Sequence, residues 1–399
     1  MNVVLVNQFY PPAQAPTGRL LADLAAELVR RGHAVTVVAS AAGYGAETGP
    51  AETALAGAPV VRVGRGKVHR SGAAGKLRDY AAFYRGAWRE LAQRPRPDAV
   101  VCLTTPPFLG LLGAHLRKTA GVPFVLWCMD LYPEALVAHG WLRPWNPLKP
   151  LLAVLAREER RRASAVVALG PDMAGILRAT GAAAVEEIPT WSGLVVDEAA
   201  RAAAQELRRA RGWAADEVVL LYSGNMGRAH RAEEFAALAE RLRAEPARYR
   251  FVFAGNGPLR AEWERRWGGL FEFLPPAPDG ACAAHLLAAD VHLVSQRAEW
   301  MGVVVPSKFQ AACALGRPVV FAGPAESAVG RWLAEADAGW LVPPGDADAV
   351  AAAAAGIAAA RPRAEKGAAA RRLFEREFTR PANCGRLAAL VERIAEKRP

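Results

Sequence analysis

The run Val303-Val304-Val305-Pro306-Ser307-Lys308-Phe309 leads on to Leu315-Gly316-Arg317-Pro318-Val319-Val320. It puts a lysine at the start of a predicted helix, just after an apolar strand-to-loop segment. A Gly-Arg-Pro break then returns the chain to another buried strand. Short continuous apolar strands joined this way suit a parallel sheet covered on both faces. A helix start offers unpaired backbone N–H groups and partial positive charge, and Lys308 adds a full charge; the combination suits a diphosphate. The same residues also fit an ordinary surface lysine on a βα unit, so the rest of the chain has to arbitrate.

The same alternation runs outward in both directions. Toward the N-terminus, apolar runs at 3–6, 34–39, 60–63, 99–103, 124–127 and 165–169 read as strands. Helices are predicted between them at 17–31, 76–93, 108–119 and 147–162. The first of these carries Leu20, Leu21, Leu24, Ala25 and Leu28 on one face. The pattern breaks at Ile188-Pro189-Thr190-Trp191-Ser192-Gly193, and a polar Ala/Arg-rich stretch continues to Gly212. It restarts with strands at 218–222, 251–254, 271–274, 291–294, 319–321 and 339–342. The nearly pure alanine run 347–360 reads as a helix, since alanine is the best helix former. The expectation is therefore an α/β protein of two Rossmann-like domains whose parallel sheets face a central cleft. Its parts are a first domain at 1–190, a linker at 191–212, a second domain at 213–378 and a last helix at 379–399 that packs back on the first domain.

Composition agrees with a folded, two-domain chain. It has 399 residues, 52% hydrophobic and 22% charged, which excludes a disordered protein. The net charge of +11 favours anionic partners: nucleotides, nucleic acid or an anionic membrane surface. No nucleic-acid recognition module accompanies that charge. The cysteines are Cys102, Cys128, Cys282, Cys313 and Cys384, with no C-x-x-C pair; they read as free buried thiols in a reducing compartment. The chain opens directly on a strand, and no apolar run approaches the roughly 20 residues of a spanning helix. A cytoplasmic protein, peripheral on the inner face of the plasma membrane, is expected.

Ligands of open α/β sheets bind beyond the C-terminal ends of the strands, and the loops there carry unusual residues. The loop 7–19, Asn-Gln-Phe-Tyr-Pro-Pro-Ala-Gln-Ala-Pro-Thr-Gly-Arg, holds Tyr10, Gly18 and Arg19. Leu126-Trp127-Cys128-Met129-Asp130-Leu131-Tyr132-Pro133-Glu134 puts a carboxylate at a strand lip. Asp130 there either orients an acceptor hydroxyl or caps the following turn. Glu134 either shares the acceptor role or caps the next helix. Tyr222-Ser223-Gly224-Asn225-Met226-Gly227-Arg228-Ala229-His230 ends a strand at a glycine turn followed by an arginine suited to a phosphate. Phe253-Ala254-Gly255-Asn256-Gly257-Pro258 is a second tight glycine turn. Asp346-Ala347-Asp348 is the sole D-x-D and reads as a helix cap, and the seven histidines show no metal spacing. Neither a P-loop, a G-x-G-x-x-G after the first strand nor a G-x-S-x-G elbow is present.

In order and spacing these segments resemble the GT4 type of retaining GT-B glycosyltransferases over nearly the whole chain. Leu24-Ala25-Ala26-Glu27-Leu28-Val29-Arg30-Arg31-Gly32-His33 after the proline loop, Asp130 to Glu134, Tyr222 to His230 and Pro306-Ser307-Lys308 carry the likeness, which points to the subgroup that builds O-antigen, capsule and colanic-acid-like polysaccharides. His33 reads as structural, at the end of its helix. The resemblance implies a nucleotide-diphosphate sugar donor (UDP- or GDP-linked), a saccharide or lipid-linked saccharide acceptor, transfer with retention, no cofactor and no metal. It assigns the donor to Gly18, Gly224, Asn225, Arg228, Gly255, Asn256, Gly257, Met301, Gly302, Val303, Val304, Ser307 and Lys308. It assigns the acceptor to Tyr10, Arg19 and Glu134, and catalysis to Asp130 and Glu299. The chain departs from the wider pattern in two ways. Arg231 stands near the position of an expected lysine. Ser307, Gln310 and Ala311 occupy the positions where a second glutamate would hold the ribose. A nucleotide-sugar 2-epimerase of the same fold and a non-catalytic nucleotide-sugar-binding partner are the other readings.

Basic residues lie among aromatic and apolar ones in two stretches of the first half. One holds Arg65, Lys67, Arg70, Lys76, Arg78, Arg85 and Arg89 with Tyr80, Phe83, Tyr84 and Trp88. The other holds Arg143, Lys149, Arg157 and Arg160 to Arg162 with Trp141, Trp145 and the apolar run 148–155. They suit contact with anionic lipid, or a solvated helix face over core aromatics.

Overall fold

The computed structural model describes residues 1–13, 15–41, 54–55, 57–64, 73–143, 145–245, 247–278 and 280–397. Arg65, Lys67 and Arg70 of the first basic stretch lie outside them. The chain divides into two compact units: Met1–Pro189 with Gly302–Val304 and Pro381–Pro399, and Thr190–Met301 with Val305–Arg380.

The first unit is built on eight strands: β1 (Asn2–Val6), β2 (Ala34–Ser40), β3 (Ala54–Leu55), β4 (Ala58–Val63), β5 (Ala99–Leu103), β6 (Phe124–Trp127), β7 (Ala165–Ala168) and β8 (Val185–Glu187). Their order is β3-β4-β2-β1-β5-β6-β7-β8, and every pairing is parallel except β3 with β4. β5, β6 and β7 are buried at every position, which is why they read as unbroken apolar runs. The register Val6↔Val38 and Val6↔Cys102 brings the ends of β1, β2 and β5 together. Strand order reverses between β1 and β5, the kind of place where such sheets bind ligands.

The second unit holds β9 (Val218–Ser223), β10 (Tyr249–Ala254), β11 (Phe271–Leu274), β12 (Val291–Ser295), β13 (Val319–Ala322) and β14 (Gly339–Val342) in the order β11-β10-β9-β12-β13-β14, all parallel. Its reversal falls between β9 and β12. One face buries an aromatic cluster in which the Phe253 ring lies 5.3 Å from Tyr222 and 4.3 Å from Phe271. Such ring pairs add to the burial of their area.

The stretch 191–212 is not an open linker. Glu198–Ala210 is a helix of the second unit, capped by the Asp197 carboxylate accepting from the Ala200 amide at 2.8 Å. It buries Ala204 in an apolar cluster with Val219, Val252 and Leu287. Alanine makes too faint an apolar stripe among arginines to stand out in sequence. The last helix, Arg380–Glu396, belongs from Pro381 onward to the first unit. There Glu392 pairs with Arg31 at 2.9 Å and with His33 Nε2 at 2.8 Å, while the Asn383 amide donates to the Pro189 carbonyl at 3.1 Å. His33 is thus a structural residue. Four of the cysteines are buried, but Cys282 is exposed.

Candidate donor and acceptor sites

In the second unit the loops after β9 and β10 are zipped together. The Met226 amide donates to the Asn256 carbonyl at 2.7 Å, and the Leu259 amide to the Met226 carbonyl at 3.0 Å. Glycine is required where they touch: a Cβ on Gly255 would fall 1.9 Å from the Gly224 oxygen, and one on Gly257 2.6 Å from the Met226 backbone. Both have positive φ, +147° and +146°. Their glycines therefore serve the packing of one loop on another. The Tyr222 hydroxyl, below, donates to the Asn225 carbonyl at 2.8 Å.

Lys308 reaches this point from the helix Lys308–Ala314. Its ammonium lies 4.8 Å from the centre of the Tyr222 ring and 3.1 Å from His230 Nε2, and its Cε sits where a Cβ on Gly224 would come to 3.0 Å. The residue is half-buried, and burial of its charge pulls its pKa down to about 7. No carboxylate pairs with it among the described residues. The helix itself is only one to two turns long, and the Phe309 amide is already given to the Pro306 carbonyl at 3.2 Å. The positive end of this site is thus the lysine more than the helix start. Arg228 and Asn225 are exposed on the β9 loop, Asn256 on the β10 loop, and Ser307 just before Lys308. Arg231, in contrast, is held by Glu234 at 2.6 Å, which removes it from the phosphate role. Glu299 is exposed on the single turn Ala298–Trp300.

In the segment Met301 to Val304, assigned above to the donor, two amides are already engaged. The Met301 amide donates to Ala298 O at 3.1 Å, and the Gly302 amide to Asp172 Oδ2 at 3.1 Å. The Val303 carbonyl accepts from the Leu131 amide at 3.0 Å, and Gly302–Val304 group with the first unit. Asp172 and Leu131 were not singled out in the sequence.

In the first unit Asp130 follows β6. Thr104, at the end of β5, fixes the turn: its Oγ1 accepts from the Met129 and Asp130 amides at 3.0 and 3.2 Å. The Asp130 carboxylate makes no hydrogen bond to a described residue, and burial pushes it up to about 6. It does not cap the next helix, Glu134–Ala138, whose N-cap is Pro133. Glu134 is taken up otherwise, gripping the buried Arg160 at 3.0 and 3.1 Å. That arginine also donates to the Tyr132 carbonyl at 2.8 Å and to Thr180 at 2.6 Å, so Glu134 belongs to the frame of the loop, not to an acceptor surface. Beside it Glu159 is buried against the start of the helix Gly110–Ala120, and burial pushes its carboxyl up to about 8, so it stays protonated at neutral pH.

Tyr10 is fully buried, with Arg62 over its ring at 6.0 Å and donating to its carbonyl at 3.3 Å. It supports the loop from beneath and presents no side chain to an acceptor. Gly18 is buried as well, because a Cβ there would lie 3.1 Å from the Phe9 and Tyr10 backbone. Arg19 is exposed on the first turns of the helix Pro16–Arg30.

Known families match both halves of the chain: the Glycosyl transferase 4-like domain over residues 17–191, and Glycosyl transferases group 1 over residues 217–359. WcaI of Escherichia coli K12, named as a colanic acid biosynthesis glycosyl transferase, is 28% identical over 60% of this chain. WbjE of Pseudomonas aeruginosa, named as a glycosyltransferase, is 27% identical over 64%. The matches span 61% and 65% of those relatives' own lengths, less than two-thirds of each. Among solved structures, sucrose-phosphate synthase of Thermosynechococcus elongatus superposes with a TM-score of 0.76 at 17% identity over 100% of both chains. HepE of Anabaena, in complex with UDP-glucose, does so with a TM-score of 0.68 at 16% identity over 98% of this chain and 99% of its own. These last likenesses are of fold. With both halves matched in order, the chain belongs to the GT4-type GT-B glycosyltransferases.

Proposed function

We propose that the protein moves a sugar from a nucleoside-diphosphate donor to a saccharide acceptor during envelope polysaccharide assembly, with retention and without a metal. The observation that carries this reading is Lys308: a half-buried ammonium with no carboxylate partner among the described residues, packed on Gly224 of the loop that also carries the exposed Arg228. A cation left unpaired in such a place is costly unless an anion arrives. The neighbour HepE carries UDP-glucose, and WcaI is named for colanic acid biosynthesis, which supports the donor class and the pathway. In the reaction the acceptor oxygen bonds to the anomeric carbon as the bond from that carbon to the diphosphate oxygen breaks. The acceptor proton passes to the departing diphosphate. Lys308 and Arg228 stabilise the charge developing there, and Asp130 orients the attacking hydroxyl. A panel of UDP- and GDP-sugars, scored by the rise in melting temperature and by nucleotide release with a saccharide acceptor, tests the reading. Binding without release, under every acceptor tried, would favour a non-catalytic binder; no shift with any donor would overturn the donor reading.

The acceptor is proposed to be lipid-linked and met at the inner face of the plasma membrane. No described helix is long and apolar enough to cross a membrane. On the first unit, however, Leu148, Leu151 and Val154 are exposed at helical spacing, next in sequence to the exposed Trp141 and Trp145; across this set exposure runs from 55% to 75%. Lys76 lies 6.0 Å from the Trp141 ring and Arg143 5.8 Å from the Trp145 ring. This joins the start of the helix Ala73–Gln93 to the same apolar and basic patch. Apolar side chains ringed by cations suit an anionic lipid surface. Co-sedimentation with phosphatidylglycerol vesicles is expected at low salt, falling as salt rises, and is expected to drop severalfold in Trp141→Ala/Trp145→Ala. Equal binding to neutral vesicles, or an unaffected double variant, would count against this surface.

A further inference from the structure

We infer that His230 is a positioning residue of the donor site: its unprotonated Nε2 holds the Lys308 ammonium in place for the diphosphate. The inference rests on the reading of Lys308 as a diphosphate cation. Its first support is the tautomer. His230 Nδ1 lies 2.7 Å from the Ser295 carbonyl, which only accepts, so Nδ1 carries the proton. Nε2 is then left with a lone pair, and Lys308 Nζ donates to it at 3.1 Å.

The second support is how firmly the imidazole is held. The His230 amide donates to the Gly227 carbonyl at 3.0 Å, and its own carbonyl accepts from Arg297 Nε at 2.9 Å. The next amide, of Arg231, donates to Ser295 Oγ at 3.1 Å. The ring lies edge-on to Tyr222 at 5.8 Å. The end of β12 and the loop after β9 therefore clamp it from two sides, at the reversal of strand order. Burial and the Lys308 charge both press its pKa down, to about 3, so it stays neutral.

The third support is the charge around it. Lys308 meets the His230 ring, Arg297 donates to its carbonyl, and Arg231 follows it in the chain. Arg231 is paired with Glu234 at 2.6 Å, and Arg297 lies 3.6 Å from Glu233. Lys308 alone of the three lacks a carboxylate, and a lysine's flexible four-carbon stem gives it no fixed position of its own. One of its three N–H groups goes to His230, and the remaining two, with no hydrogen-bond partner among the described residues, are available to phosphate oxygens.

The experiment measures binding of UDP and GDP by calorimetry, takes the tighter, and compares it with the matching monophosphate. Lys308→Ala tests the underlying reading, and should weaken the diphosphate more than the monophosphate. His230→Asn keeps a group near Nδ1 but leaves Lys308 without its acceptor; about tenfold weaker diphosphate binding is expected. His230→Gln places an acceptor near Nε2 and should recover most of that loss. His230→Asn combined with Lys308→Ala should bind about as Lys308→Ala does alone, because the two act as one unit. Melting curves confirm that each variant is folded. Equal affinities of His230→Asn and His230→Gln, or additive losses in the double variant, overturn the positioning role while the diphosphate reading stands. An unaffected Lys308→Ala, or no binding of either nucleotide to the wild type, overturns both.

Discussion

Replacing Asp130 by asparagine is expected to lower sugar transfer by about 10²-fold or more while leaving donor binding nearly intact, the scale of acid–base and positioning effects. The amide keeps the size of the side chain and removes its charge. Few structural contacts are lost, since the carboxylate bonds to no described residue and caps no helix. Thr104 holds the turn through backbone amides that the substitution leaves alone. The variant should also be no less stable than the wild type at pH 7. Burial raises the Asp130 pKa to about 6, which marks an ionised form that folding penalises. The same shift gives a second signature. The carboxylate is protonated below about pH 6 and ionised above, so wild-type transfer should rise with pH through that region, and the rise should vanish in Asp130→Asn. Initial rates against pH, with nucleotide affinity measured in parallel, make the check. Wild-type rates in the variant, or donor affinity falling in step with activity, would remove Asp130 from the acceptor side.

The fold was legible because its central strands are buried on both faces. The runs at 99–103 and 124–127 coincide with β5 and β6, since a fully covered strand must be apolar at nearly every position, and those at 271–274 and 339–342 coincide with the less completely buried β11 and β14. The helix Glu198–Ala210 was not, because its buried stripe is largely alanine. The loops singled out in the sequence also stand where expected, each directly after a strand. What each residue does there was less legible. Tyr10, Gly18 and Glu134 look like ligand residues until the structure shows what they are packed against. Partners settle such roles, and partners are far apart in the chain: His230 and Lys308 are separated by 78 positions, and Asp172 and Gly302 by 130. A histidine ending a glycine turn has no periodicity to betray it. Only the fold, by bringing the ends of β9 and β12 side by side, puts its lone pair against the lysine.

Lys308→Ala is expected to weaken binding of the nucleotide-sugar donor by about 1.5–3 kcal/mol, the range for hydrogen bonds to charged groups, or roughly ten- to a hundredfold in affinity. Arg228, exposed on the loop after β9, should supply the residual binding. A hydrogen-bonding loss of this size could also arise from a disturbed loop, so the pH dependence is the sharper measurement. Burial lowers the Lys308 pKa to about 7. The lysine therefore holds its proton below pH 7 and loses it as the pH rises, and only the protonated form attracts the diphosphate. In a nucleotide-sugar both phosphates are diesters, so the diphosphate carries the same charge throughout and the ligand as a whole does so from pH 6 to pH 8, below the titration of its base N–H. Wild-type affinity should then be nearly constant below pH 6, fall about fivefold between pH 7 and pH 8, and approach tenfold per unit above that until the bound lysine also deprotonates. In Lys308→Ala the affinity should be low and flat across the whole range. Calorimetric titrations from pH 6 to pH 8 decide the matter. A wild-type affinity that ignores pH would mean that Lys308 keeps its proton throughout or does not touch the diphosphate, and the variant separates these cases, because only the second leaves its affinity unchanged.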